Sequence, residues 1–251
     1  MAKRYGIAGR SAHEMAEQRY KKAAIYGGTV ILVAIILFIT TNWVSFHFKA
    51  SLLGFICIVA LSGVFVYCSD PFIKKGEYIK KRAKDADRGA YAEEVVAERL
   101  KGLPDSYCYF NDLAFEGFNI DHIVVGPGGI FLIETKSHSG EVDVKGEVLL
   151  LNGAKPEKDF FGQTWSQTFQ LREYLKKQTS REWKVKPVLC FTRAFVKVRQ
   201  PLKGITMVNK KYLAEYLLKQ SHCLNAMDIE VVVGLLRART TRNDKVKSKA
   251  I

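Results

Sequence analysis

The chain has 251 residues, enough for one sizeable domain and something smaller, and a formal net charge of +14. A balance that basic directs attention to polyanionic partners, either nucleic acid or an anionic membrane surface. The five cysteines, Cys57, Cys68, Cys108, Cys190 and Cys223, are odd in number and contain no Cys-x-x-Cys pair, which excludes a disulfide scaffold or a cysteine zinc site and reads as reduced structural thiols.

Residues 1–22 are a basic leading segment carrying Lys3, Arg4, Arg10, Arg19, Lys21 and Lys22. Two uncharged runs follow, AAIYGGTVILVAIILFITTNWV at 23–44 and ASLLGFICIVALSGVFVYC at 50–68. Each is long enough to cross a hydrocarbon core of ~30 Å as a helix. The SFHFK link between them is so short that the spans must run antiparallel, and Trp43 and Tyr67 lie near span ends, where amphipathic rings prefer the interface. A cleavable signal peptide fits poorly, because the run is long, a second follows at once, and no small-residue cleavage site closes the first. The buried helical hairpin of a soluble protein fits poorly too, since uncharged runs of this length are rare in soluble cores. Lys74, Lys75, Lys80, Lys81, Arg82 and Lys84 follow the second run, against Lys49 alone in the link. The positive-inside rule then predicts a multi-pass protein of the plasma (inner) membrane, with both termini cytoplasmic. We assign the transmembrane hairpin to 23–69, closed by Asp70-Pro71, and a charged juxtamembrane linker or helix to 70–88.

Beyond the linker the pattern becomes that of a folded domain at 89–208. Residues 89–103 read as a helix, with Glu93, Val96, Leu100 and Leu103 on one face and Glu94, Glu98 and Lys101 on another. Strand-like runs come next at 107–112, 118–125, 130–136 and 141–151. A helix is predicted over 160–177, with Phe161, Thr164, Trp165, Thr168, Leu171 and Leu175 as its apolar stripe. Strands at 185–192 and 205–208 follow. Residues 209–251 hold two short helices, at 210–219 and 227–237, and a basic tail that should fray after Arg239. The order predicts a mixed α/β domain with a central sheet flanked by helices.

The hairpin FNIDHIVVGPGGIFLIETK, 118–136, raises the functional question. With its turn at Gly126-Pro127-Gly128-Gly129, Val125 opposes Ile130 and Ile123 opposes Leu132. Asp121 then opposes Glu134, with Lys136 continuing that face. Like charges on neighbouring strands are destabilising, the more so when buried, so a positive partner is required. Lys136 supplies part of it, and a hard divalent cation bound by oxygen ligands suits the rest. Glu93, on the apolar stripe of the first helix, is placed to reach the same point.

These residues resemble the nuclease-related domain family, the NERD domain, grouped with the PD-(D/E)XK nucleases. The resemblance rests on GAYAE at 89–93, IDHIVVG at 120–126, GGIFLIETK at 128–136 with Gly140 after it, and a downstream helix containing Gln163. It implies a restriction-endonuclease-like fold, with Asp121, Glu134 and Glu93 as metal-binding acids for Mg²⁺ or Mn²⁺. It also implies Lys136 as the catalytic lysine and Gln163 as the glutamine of the later helix. Where the family often has Asn-Pro before that glutamine, this chain has Asp159-Phe160. Gln167, Gln170 and Tyr174 share a stripe with Gln163 and are further candidates for nucleic-acid contact.

The activity implied is metal-dependent hydrolysis of phosphodiester bonds, with DNA ahead of RNA as substrate. Arg172, Lys176, Lys177, Arg181, Lys184, Arg193, Lys197 and Arg199 are candidates for sequence-independent phosphate contacts. Two alternatives stand beside the nuclease: a non-catalytic nucleic-acid-binding module of the same fold, and a membrane-anchored protein-interaction domain. His122 and His138, each alone, read as structural or solvent-facing.

Overall fold

A computed structural model describes residues 1–48 and 52–248 of the chain. Lys49, the one cation of the predicted link, and Ala50 at the head of the second apolar run lie outside the described residues, as does the end of the tail at 249–251. The chain divides into two compact units, one comprising Met1–Ser11 with Arg88–Ile251 and the other Ala12–Asp87.

The smaller unit holds most of helix α1 (Arg10–Phe48) and of helix α2 (Leu52–Lys101), whose last turns, from Arg88, belong to the larger unit. The rings of Tyr26 and Phe72 lie 6.2 Å apart, and Arg19 Nη1 donates to the carbonyl of Arg82. These pairs descend one helix as they climb the other, so the two helices are antiparallel. Both contain a window long and apolar enough to cross a membrane, and none of either window is buried. Ile31, Phe38, Ile39, Phe55, Val59 and Val64 all face outward. Pro71, expected to close the second span, lies inside α2, and the segment expected as a linker or helix at 70–88 is helical throughout. A proline there forfeits one backbone hydrogen bond without ending the helix.

The larger unit is built on a seven-stranded mixed sheet. Its strands are β1 (Lys3–Tyr5), β2 (Cys108–Phe115), β3 (Phe118–Gly126), β4 (Gly129–Lys145), β5 (Val148–Leu151), β6 (Val185–Val196) and β7 (Thr206–Asn209), in the order β1-β2-β3-β4-β6-β7 with β5 paired to β4. β2, β3 and β4 form an antiparallel meander, whereas β1 joins β2, β6 joins β4 and β7 joins β6 in parallel. Between β5 and β6 the chain forms α3 (Phe160–Thr179), and after β7 come α4 (Leu213–Leu218) and α5 (Ala226–Ser248).

Alternation along the strands sorts the core into layers. Val124, Phe131 and Ile133 face the last turns of α2, through Val96, Ala97 and Leu100, and α4, through Leu213 and Leu217. Ile123, Val125, Ile130 and Leu132 face α3 and α5, through Leu171, Leu175, Val232 and Leu236. A third cluster, with Phe160, Leu189, Phe191 and Met207, fills the end where β5 folds back. The predicted mixed α/β fold is therefore present, and three details differ from expectation. The strands predicted at 130–136 and 141–151 are one long β4, bulged between Lys136 and Ser139, followed by a short hairpin partner. The first residues supply an edge strand. Helix α5 continues well past Arg239, to Ser248.

Candidate active site

The β3–β4 hairpin positions the acids. Its ladder runs from Gly126↔Gly129 through Val125↔Ile130 and Ile123↔Leu132 to His122↔Ile133. Gly126 packs so closely against Tyr107 that a Cβ would fall 2.2 Å from the ring, and Gly129 turns at φ +126°. Glycine at both positions therefore fixes the register. One step beyond the ladder the backbones no longer pair. There Asp121 Oδ2 takes over as acceptor and receives the Thr135 backbone N–H at 2.7 Å.

Asp121 is half-buried, and its carboxyl is held well above the usual carboxylate range. Burial is the main cause, followed by the negative charges of Glu134 and Glu93; the Thr135 N–H and the Lys136 ammonium oppose them. Glu134 is buried at 3% exposure and Lys136 at 8%. Lys136 Nζ donates to Glu134 Oε1 at 2.7 Å and to Gln163 Oε1 at 3.0 Å, while Gln163 Nε2 donates to the same Glu134 oxygen at 2.6 Å. The three side chains close a triangle. Its ammonium also lies 4.7 Å from the centre of the Phe160 ring. Glu134 Oε2 is buried and has no hydrogen-bond partner.

Gln163 reaches this point from the first turn of α3. Asp159 caps that helix by accepting the Gly162 N–H at 3.0 Å, and Phe160 follows it into the core. The Asp159-Phe160 pair thus starts the helix with a side-chain cap and lays a ring against Lys136. Of the other stripe residues, Gln167 is buried and donates to the carbonyl of Asn119, and Tyr174 packs edge-on to Phe115 with its hydroxyl on the Leu235 carbonyl. Gln170 of that stripe is exposed, as is Gln163 itself. The expected apolar stripe shifts as well: Phe160 and Gln167 are buried, whereas Trp165 is exposed.

Glu93 enters from α2. Its Oε2 accepts the Gly9 N–H at 3.1 Å. Its carboxyl is pushed up to about 8, by burial first, then by Asp112, with Glu134 and Glu94 adding to it and the Gly9 N–H opposing. The charges of Glu93, Asp121 and Glu134 are thus mutually felt. Among the described residues, however, no three His, Cys, Asp or Glu side chains are gathered closely enough to hold a metal ion.

Composition and periodicity gave no hint of the residues that hold Glu93. Asp112, at φ +48°, accepts from Ser11 N at 2.8 Å, Ser11 Oγ at 2.6 Å and Asn119 Nδ2 at 3.0 Å. Gly6 and Gly9 approach the backbones of Asn111 and Ala90 so closely that a Cβ would lie 2.3 and 2.7 Å from their carbonyl oxygens. The only available signal was the Gly6 and Gly9 spacing before a helix start. His122 is buried, its Nδ1 is 2.9 Å from Asn111 Oδ1, and burial pushes its pKa down to about 3, so it is a neutral structural residue. His138 is exposed, with its ring beside Phe160.

The donor set is compatible with a hard divalent cation. It is all carboxylate, one oxygen of Glu134 lacks any partner, and burial, with neighbouring negative charge after it, pushes the Asp121 and Glu93 carboxyls up, a penalty that a cation would reduce. No curated protein and no solved structure matches the chain. Residues 88–192 match the family model of the nuclease-related domain, NERD, and this span includes Asp121, Glu134, Lys136, Gln163 and Glu93. That part of the chain is similar to a nuclease-related domain and is preceded by two helices apolar enough to cross a membrane.

Proposed function

We propose that the protein is a membrane-anchored, metal-dependent nuclease that hydrolyses phosphodiester bonds, in DNA ahead of RNA, at the cytoplasmic face. The observation that carries this reading is the buried Glu134–Lys136 pair, braced by Gln163 and set beside Asp121, in a stretch that matches the nuclease-related domain. An ammonium buried beside a carboxylate is costly to build, and packing alone does not require it.

Asp121 and Glu134 would hold Mg²⁺ or Mn²⁺, with Glu93 adding negative charge. When bound, such an ion supplies Lewis-acid polarisation of the phosphate and a lower pKa for water. The chain's own residues prepare the rest. The Thr135 N–H fixes one oxygen of Asp121, leaving the other to face the ligand. Gln163 and Lys136 both hold Oε1 of Glu134 and so orient the free Oε2. Lys136, anchored over Phe160, presents fixed positive charge where negative charge builds on the phosphoryl oxygens, or orients the attacking water.

The test is cleavage of labelled single-stranded DNA, duplex DNA and RNA by the full-length protein in neutral detergent, with Mg²⁺, with Mn²⁺ and with EDTA. Glu134→Gln, which keeps shape and removes charge, and Lys136→Ala are assayed alongside, after their thermal midpoints show them folded at the assay temperature. We expect cleavage that needs the cation and falls at least a hundredfold in either variant, in line with the loss of an electrostatic stabiliser, roughly 10²–10³. Cleavage that persists in both variants would place the chemistry elsewhere. Nucleic-acid binding without cleavage would favour the non-catalytic module.

A further inference from the structure

A second cleft in the larger unit lies beyond the candidate active site, at the edge of the sheet where β6 and β7 end. Its volume is about 590 Å³, and its walls include Arg193, Phe195, Arg199, Lys211, Tyr212 and Tyr216. Its wall contains no acidic residue. Of the eight cations singled out from sequence, Lys176, Arg181 and Lys197 are committed to Glu182, Asp228 and Glu141. The side chains of Arg193, Arg199 and Lys211 make no ion pair or hydrogen bond among the described residues, and all three are exposed. Phe195 is 63% exposed and Tyr212 56% exposed, whereas Met207 and Val208 of the same wall are buried.

Ordinary solvation explains an exposed arginine but not two exposed aromatic rings in a concave wall with three unpaired cations. A ring with its face in water at the mouth of a cleft loses apolar contact that a planar ligand would restore. The wall itself is firmly built. Tyr216 OH and Thr206 Oγ1 are 3.1 Å apart, Asn209 Nδ2 donates to the Ala194 carbonyl at 2.7 Å, and Asn209 Oδ1 accepts the Lys211 N–H at 2.9 Å. The cleft shares a strand with the candidate site. Phe191 pairs in register with Lys136, and Arg193 comes two residues later on the same strand, about 7 Å further along at ~3.3 Å per residue.

We propose that this cleft binds single-stranded nucleic acid, with bases stacked on Phe195 and Tyr212 and phosphates held by Arg193, Arg199 and Lys211. Positive charge without acids suits a polyanion, and accessible rings select a strand whose bases are unstacked over a duplex whose bases are not. This deepens the nuclease reading by naming the substrate form but rests on different residues, so each can fail alone.

The experiment measures fluorescence anisotropy of labelled oligothymidylate with the full-length protein in neutral detergent and EDTA, which prevents cleavage. Competition by inorganic polyphosphate, an anion without bases, is measured in parallel. Phe195→Ala and Tyr212→Ala should each weaken oligothymidylate binding about tenfold and leave polyphosphate competition within about twofold. Arg193→Ala, Arg199→Ala and Lys211→Ala should each lower the slope of log affinity against log salt by about 0.7 for both ligands. Ring variants that bind oligothymidylate as the parent does, or that lose polyphosphate equally, overturn the proposal. Cleavage lost in Lys136→Ala while ring variants still bind normally would leave the nuclease reading standing and remove this one. Stacking-dependent binding with no cleavage under any condition would do the reverse.

Discussion

A buried ion pair is weak evidence for stability but strong evidence about what happens when one partner is taken away. Lys136 and Glu134 have side-chain exposures of 9% and 4%. Desolvating both charges costs several kcal/mol each, and their attraction returns this only because Gln163 and the Phe160 face complete the surroundings. Removing the ammonium leaves Glu134 charged and buried, with Gln163 as its one remaining donor. We therefore expect Lys136→Met to lower unfolding stability by about 3–5 kcal/mol in urea titrations of the full-length protein, because the charge left behind has no counter-ion. The double variant Glu134→Leu/Lys136→Met should recover at least half of that loss, since apolar side chains of similar volume suit the Ile and Leu packing on that face of the sheet. A double variant less stable than the single one would mean that the triangle holds the fold together by more than its charges. At this scale the sequence was informative. Alternation plus the Gly-Pro-Gly-Gly turn placed Asp121 and Glu134 on one face, and the ladder carries that register through His122↔Ile133. It could not show that pairing stops there, that Asp121 binds the Thr135 N–H, or that Gln167 is spent on Asn119, because those depend on where strands splay and how α3 leans.

Among the elements, β1 is the one that hydropathy could not reveal. Its three residues, Lys-Arg-Tyr, have no alternation to read, and their neighbours suggested only a topology-setting basic segment. The strand exists because of its surroundings. Lys3, Arg4 and Tyr5 pair in parallel with Cys108, Tyr109 and Phe110, the Tyr5 ring stacks on Phe110 at 4.8 Å, and Ala2 N donates to the Leu103 carbonyl. Gly6 and Gly9 then turn the chain through positive φ at 74° and 72° to deliver the Gly9 N–H to Glu93. Long elements were legible for the converse reason. Strands β2 to β4, α3 and β6 each carry several periods of pattern, so one misplaced residue does not erase the signal. Deleting residues 2–9 from the full-length chain removes the strand, the stacked ring and the Glu93 contact together. It should destabilise the larger unit by about 2 kcal/mol or more and expose the open edge of β2 to association with other copies. Circular dichroism melts and light scattering check this. An unchanged midpoint with no rise in scattering would show that the first residues rest on the sheet without supporting it.

For the whole molecule, the two units ask for different solvents. The outward-facing Ile, Val and Phe of α1 and α2 far exceed the apolar patches a water-soluble monomer leaves bare, and the windows concerned are wholly unburied. The basic residues on both sides of these windows, six before the first and six after the second, set the expected orientation, since cations are retained on the cytoplasmic side. The cysteines give a direct test. Cys108 and Cys190 are buried, and burial pushes the Cys190 thiol up to about 12, so neither reacts readily with maleimide. Cys57 and Cys68 lie within the second apolar run, where an impermeant reagent has no access if that run is in lipid. Cys223 is exposed in the larger unit and is the natural reporter for it. In intact cells an impermeant maleimide should leave Cys223 unlabelled until the membrane is permeabilised, whereas Ser45→Cys, near the end of α1, should label from outside at once. The same protein should stay with the membrane pellet after alkaline carbonate, as spanning helices do and surface-bound cationic proteins do not. Labelling of Cys223 in intact cells would invert the topology and put the acids of the site outside the cytoplasm. Release by carbonate would mean that the basic flanks, at ~1 kcal/mol per cation, hold the protein to the bilayer and that α1 and α2 bury their apolar faces against one another or another copy.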